Sequence, residues 1–226
     1  MTNTRGEVHR WWLVPLGVAA GCLGASAPPD HFYRLATGAP EHRLAEPLFH
    51  GTLAVERFRA GGLLGERALL FTTQEAPLEV HRHGYHYWTE SPTILLHEQL
   101  VTFLRHANVA DAVVSGQGRA VPDWVVSGHI DRLERVLAKG ASRVLIELRL
   151  ELARGPRETR PLHAGVYRVE RTVENDDVPS AVDALNQAVG EIYGRFLADI
   201  TARGACAAGA QDESASGSKT TRWASS

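Results

Sequence analysis

The sequence predicts an α+β domain, a mostly antiparallel sheet with two main helices packed on one face. Three observations carry that expectation. Val182, Leu185, Val189, Ile192, Phe196 and Ile200 recur at steps of three and four residues and form one helical stripe. Leu96, Leu100, Phe103, Leu104 and Ala107 line one side of a second helical segment, 94–107. Segments 123–133 and 142–154 alternate apolar and polar residues, and Lys139-Gly140-Ala141 suits the hairpin between them. A helical stripe needs an apolar surface to cover it. The sheet supplies one, so the layers form a sandwich.

Taken in order, Phe32-Tyr33-Arg34-Leu35 reads as a short first strand, followed by a loop containing Pro and His. Leu53–Phe58 alternates as a second strand, Gly61-Gly62-Leu63-Leu64-Gly65 interrupts it, and Ala68–Thr72 is a third. Glu79–Trp88 alternates again, with Gly84 a candidate bulge. Ser91 is a good N-cap, Pro92 is tolerated in the first helical turn, and Asn108 suits the helix end. Ala112-Val113-Val114 gives a short strand. In 123–133, Trp124, Val126, Gly128 and Ile130 share one face, while Asp123, Ser127, His129 and Asp131 share the other. In 142–154, Val144, Ile146, Leu148, Leu150 and Leu152 face one way, with Leu145 the exception. After Gly155-Pro156, segment 162–172 adds a strand to an antiparallel meander with one face covered and one wet. Pro179 fits the start of the last helix and Gly204 its end.

Composition narrows the function. With 226 residues, 44% of them hydrophobic, the chain can build a core. Its 24 basic and 26 acidic residues leave a formal charge of -2. That argues against a nucleic-acid binder, because such affinity rests on cationic contacts to phosphates. No apolar run reaches the ~18 residues needed to span a bilayer. Cys22 and Cys206 cannot form a disulfide framework, and Cys206 reads as a free, incidental thiol.

The N-terminus reads as an address. Arg5, His9 and Arg10 precede the apolar stretch Trp11–Gly21, the layout of a signal peptide. Val18-Ala19-Ala20-Gly21-Cys22 resembles the lipobox of bacterial lipoproteins, whose cysteine is acylated and becomes the mature N-terminus. Cys22 is therefore the lipidation candidate. Ordinary cleavage after Ala25-Ser26-Ala27, with Pro28 beyond the scissile bond, and a short buried helix are the alternatives. The expected organisation is a signal peptide over 1–21, a tether over 22–31, one domain over 32–203 and a disordered tail over 204–226. Leu23 rather than Asp follows the cysteine, so inner-membrane retention is not signalled.

Several residues invite catalytic readings. His81 and His83 alternate onto one strand face with Glu79, and a bulge at Gly84 would bring His86 to the same side. Zinc needs three or four such ligands, but no local motif of known metal spacing is present, and a wet strand face is the simpler reading. Ser127, His129 and Asp131 stand two residues apart on one strand, nearly 7 Å per step, too far for a direct nucleophile-to-base hydrogen bond. Gly61–Gly65 lacks the Gly-Lys-Ser/Thr ending of a phosphate loop. No catalytic residue, metal or cofactor is expected. Trp88 and Trp124 read as core or interface anchors.

The order of these features is familiar. Lipobox-like Cys22, Tyr33-Arg34-Leu35, Val55-Glu56-Arg57-Phe58, Gly62–Arg67, Tyr85-His86-Tyr87-Trp88-Thr89-Glu90-Ser91-Pro92 and Asp123–Ile130 follow one another before the long hairpin. The chain resembles the auxiliary lipoprotein component family of ABC-type transporters over about 22–203. The resemblance implies a non-enzymatic lipoprotein of the Gram-negative outer membrane, facing the periplasm and held by its lipid. It implies work beside an MCE-domain protein and its ABC permease and ATPase, in moving phospholipids or related apolar molecules, and it is compatible with self-association. Tyr85, Tyr87 and Trp88 are the candidate partner-binding residues. A structural or assembly lipoprotein without a transport role is the alternative, and an enzyme or metal binder using His81, His83 and His86 is a third.

Overall fold

A computed structural model describes Thr2 and residues 27–116, 121–155 and 160–217, the last thirteen of these by helix path alone. Apart from Thr2, the expected signal peptide lies outside the described residues, as do Cys22 and the last nine residues.

Nine strands and two helices follow in the order β1 (His31–Tyr33), β2 (Phe49–Val55), β3 (Arg59–Ala60), β4 (Ala68–Thr73), β5 (His81–Trp88), α1 (Pro92–Ala107), β6 (Ala110–Ser115), β7 (Trp124–Leu137), β8 (Arg143–Arg154), β9 (His163–Thr172) and α2 (Val178–Gly217). The α+β class and the two helices hold. The sheet, however, is mixed and curled, not mostly antiparallel. The antiparallel part is the meander β7–β8–β9, where Ile130 faces Leu148 and Leu148 faces Tyr167. Along its other edge β7 takes three parallel partners in turn: β2 (Leu53 against Trp124), β3 (Arg59 against His129) and β4 (Phe71 against Arg135). These three are one interrupted strand. Gly61–Gly65 does not reverse the chain. It loops out as a short 3-10 turn, Gly62–Gly65, and the chain resumes in the same direction. Alternation reveals which face a residue takes, but not the direction of its neighbour.

Strand β7 also runs four residues beyond the expected end. Ile130 pairs with Leu148 and Arg132 with Glu147, so Asp131 is an extra residue that forms a bulge. Before it, Val126 and Ile130 point inward; after it, Leu133 and Arg135 join α2 and Trp88 around a small internal cavity.

The α2 stripe is buried at all six expected positions, and so are Val144, Ile146, Leu148, Leu150 and Leu152 of β8 in the same core. Helix α1 begins as expected, with the Ser91 side chain accepting from the Thr93 backbone N–H at 3.3 Å, and ends at Asn108 in the left-handed conformation. The helices meet where the buried Tyr193 hydroxyl donates to the Leu96 carbonyl at 2.7 Å. Gly204 does not end α2, which continues to Gly217. A side chain at Gly204 would stand 2.8 Å from Leu48, so this glycine permits close packing. The alanines at 205, 207, 208 and 210 have high helix propensity.

Candidate functional site

His83 and His86 of β5 lie on a bulge. Leu70 pairs with Arg82 while Ala68 pairs with Tyr87, so residues 83–86 arch out opposite Leu69. The expected bulge is there, but its left-handed residue is Tyr85 (φ 62°), not Gly84. The arch brings the His83 and His86 rings edge to face at 5.9 Å. His86 stacks on His31 at 5.0 Å, and its Nδ1 lies 2.9 Å from the Tyr33 hydroxyl. His81 stays apart, stacked on Phe71 at 5.1 Å and 3.5 Å from Glu79. Among the described residues no three metal-ligating side chains converge.

His83 is the most perturbed of these groups. Burial, then the Arg135 guanidinium and His86, lower its pKa from 6.5 to about 4. Burial first and His31 second lower that of His86 as well. A histidine with a depressed folded pKa makes the unfolded chain the better proton binder in this window. Stability should therefore fall as pH drops from about 6.5 towards 4, and His86 acts in the same direction. Because His83 is only partly shielded from water, its share is expected to be about 1–2 kcal/mol. Urea unfolding at pH 7 and pH 4.5 checks this: His83→Phe should shrink the acid-induced loss. An unchanged loss would assign it to other groups.

Three aspartates on and beside the strands hold backbone and side chains in place. Asp131 is gripped by both guanidinium arms of Arg149 at 2.8 Å, with His129 at 3.4 Å. Asp123 accepts from the Thr52 N–H at 2.8 Å, and Asp111 accepts from the Gly51 N–H at 2.7 Å. Gly51 has φ +91°, and a side chain there would collide with Asp123 at 2.2 Å, so the clamp on β2 needs glycine.

Of the three candidate partner-binding residues, Trp88 is 2% exposed and lies in the core. It cannot present a surface. Tyr85 is 41% exposed on the crest of the arch, and Tyr87 packs against the exposed Phe32 at 5.8 Å, with the Arg67 guanidinium 5.5 Å from the centre of the Phe32 ring.

Two features gave no usable signal in the sequence. Buried His97 on α1 joins the Glu56 carbonyl (3.0 Å) to the Ser115 hydroxyl (2.9 Å), locking the helix to the ends of β2 and β6. A groove of about 980 Å³ runs between the loop Gly38–Leu44 and the side of α2 carrying Gly190, Gly194 and Ala198. The four-residue spacing of those small residues and the loop with Pro40 and His42 are each visible in the sequence, but their meeting across the groove is not.

A curled mixed sheet with two helices on one face, whose acids and histidines brace the scaffold, defines the structural class. Solved structures share it. A DUF330-family protein from Xanthomonas campestris is 18% identical, with a TM-score of 0.65 over 81% of this chain and 99% of that one. An uncharacterised protein is 14% identical, with a TM-score of 0.58 over 76% of this chain and 99% of that one. No curated protein matches the chain. The sequence profile of the ABC-type transport auxiliary lipoprotein component family matches residues 33–195, and the chain belongs to that family. The family is one of transport auxiliary components, and its lipoprotein character suggests a membrane-anchored place in the cell envelope. No helix among the described residues is long and apolar enough to cross a membrane.

Proposed function

We propose that the chain is an outer-membrane lipoprotein, anchored through Cys22 and facing the periplasm. It serves as a non-enzymatic accessory of an MCE/ABC-type system that moves phospholipids or related apolar molecules. The observation that carries this reading is the family match, which spans the sheet and both helices from β1 into α2. The lipobox-like run ending at Cys22, with Leu23 after it, supports the anchor and the outer-membrane destination. Two or more acyl chains make a stable anchor. Confinement to the membrane plane raises the local concentration of the domain beside a partner that bridges the envelope. Exposed Tyr85 and Phe32, with half-buried Tyr87 between them and the core, supply an aromatic edge of the kind that dominates interface energetics.

The test is a crosslinked pull-down of the intact lipoprotein from cells, with Cys22→Ala alongside. An MCE-domain protein should co-purify with its permease and ATPase, and its recovery should fall about tenfold or more without the anchor. Recovery of envelope proteins without any MCE component would instead establish a structural lipoprotein.

A further inference from the structure

The loop between β4 and β5 is an apolar finger. Leu78 is 96% exposed and Val80 41% exposed, with Pro77 before them. The loop is nevertheless built: the Ala76 N–H donates to the Thr73 carbonyl at 3.2 Å and to its hydroxyl at 3.1 Å, and the Glu79 N–H donates to the Ala76 carbonyl at 3.1 Å. Two successive turns thus hold Leu78 out in water. Across an open groove of about 410 Å³, the looped-out turn of Gly62–Gly65 adds two half-buried side chains, Leu63 and Leu64, the second of them resting on the core.

The position of this finger follows from the strand directions. Strand β1 runs parallel to β5, with His31 opposite His86. The chain that leads into His31 therefore arrives from the side where β5 begins, and that is where the finger hangs. Cys22 lies nine residues before His31, a reach of at most about 30 Å. The strand from His81 to His86 spans less than about 17 Å. An anchor on Cys22 can thus lie in the same plane as Leu78. The charges around the finger are mixed. Glu75 and Glu79 flank it, Glu66 is paired with Arg82 at 2.8 Å, and the groove is lined by Asp131 and by Arg132 paired with Glu134, so acids are in excess. Such a rim favours no anionic surface, which leaves apolar insertion at a zwitterionic one.

We infer that the Pro77–Val80 finger, with Leu63 and Leu64 beside it, is a membrane-docking surface that inserts at the headgroup boundary of a zwitterionic bilayer. Lipid on Cys22 brings it there, so this inference rests on the anchor proposed above. Insertion would fix the tilt of the domain and decide which edge faces across the periplasm.

The test uses the full-length acylated protein in phosphatidylethanolamine–phosphatidylcholine vesicles. A solvent-sensitive dye is placed through Leu78→Cys in a Cys206→Ser background, with Val166→Cys on β9 as the control. Both positions are exposed, so neither change threatens the core. The Leu78 dye should shift to the blue and gain about twofold in emission. Nitroxides about 5–10 Å below the headgroup boundary should quench it, the depth at which interfacial apolar groups sit. Added salt should leave the signal unchanged, and the Val166 dye should stay water-like. A water-like Leu78 dye on protein that floats with the vesicles would overturn the docking surface alone. Shielding without acyl-chain quenching, or shielding that grows with protein concentration in the absence of vesicles, would overturn it in favour of a protein partner or a second copy. Failure of the protein to float, with unmodified Cys22 by mass spectrometry, would remove the anchor and the inference together.

Discussion

Truncating Phe196 to alanine should lower the stability of the domain by about 3–5 kcal/mol, out of a total that for such domains is about 5–15 kcal/mol. Phe196 is fully buried on the inner side of α2. Its ring meets Tyr167 edge on at 6.0 Å and His163 at 5.9 Å, both on β9. Those neighbours cannot collapse into the gap. The Tyr167 hydroxyl donates to Asp199 at 2.6 Å and lies 2.7 Å from His163 Nε2, so the wall of the cavity is hydrogen-bonded in place. Burial first, and Asp199 second, hold the Tyr167 phenol well above its ordinary pKa, so it stays a donor at any physiological pH. Leu197, half-buried one position on, should cost clearly less, and exposed Arg195 within about 0.5 kcal/mol. Urea midpoints at constant slope check all three. Equal losses at Phe196 and Leu197 would mean that the helix does not present this face to the sheet.

That helix was legible because a period near 3.6 marks the covered face directly. The inward residues of β8 were legible for the same reason at period two. The mixed sheet was not. Whether Leu53–Val55, Arg59-Ala60 and Phe71–Thr73 run with or against β7 depends on residues far away in the chain, and no local pattern records it. The bulge at Asp131 hid the last part of β7. Beyond it the inward positions fall on Leu133 and on Arg135, a charged residue that reads as solvent-facing. Inside the fold Arg135 is matched by Asp176 of the loop before α2, a partner 41 residues away. Alternation did not separate exposed Tyr85 and half-buried Tyr87 from Trp88, next in the same run, which is core. His97 gave no signal, because both atoms it joins lie on other strand ends.

The interrupted strand makes its own prediction. Gly128 sits in the middle of β7, where a side chain would stand 2.6 Å from the ring of Phe58. Phe58 is buried immediately ahead of β3, at the kink where the chain leaves β2 and takes up its pairing with β7 again. The glycine is thus the seat of the ring, and the ring fixes the kink. Gly128→Val should cost about 1–3 kcal/mol by overpacking, although valine is otherwise the better strand residue. Phe58→Ala alone should cost about 3–5 kcal/mol through the cavity. The two changes together should cost less than their sum, since the valine fills part of the space the ring vacates, with a coupling of about 1 kcal/mol or more. Chemical unfolding of the four proteins in the cycle measures it. Strict additivity would place Phe58 away from Gly128, and the kink between β2 and β3 would lose the contact that explains how the chain returns to β7 in the same direction.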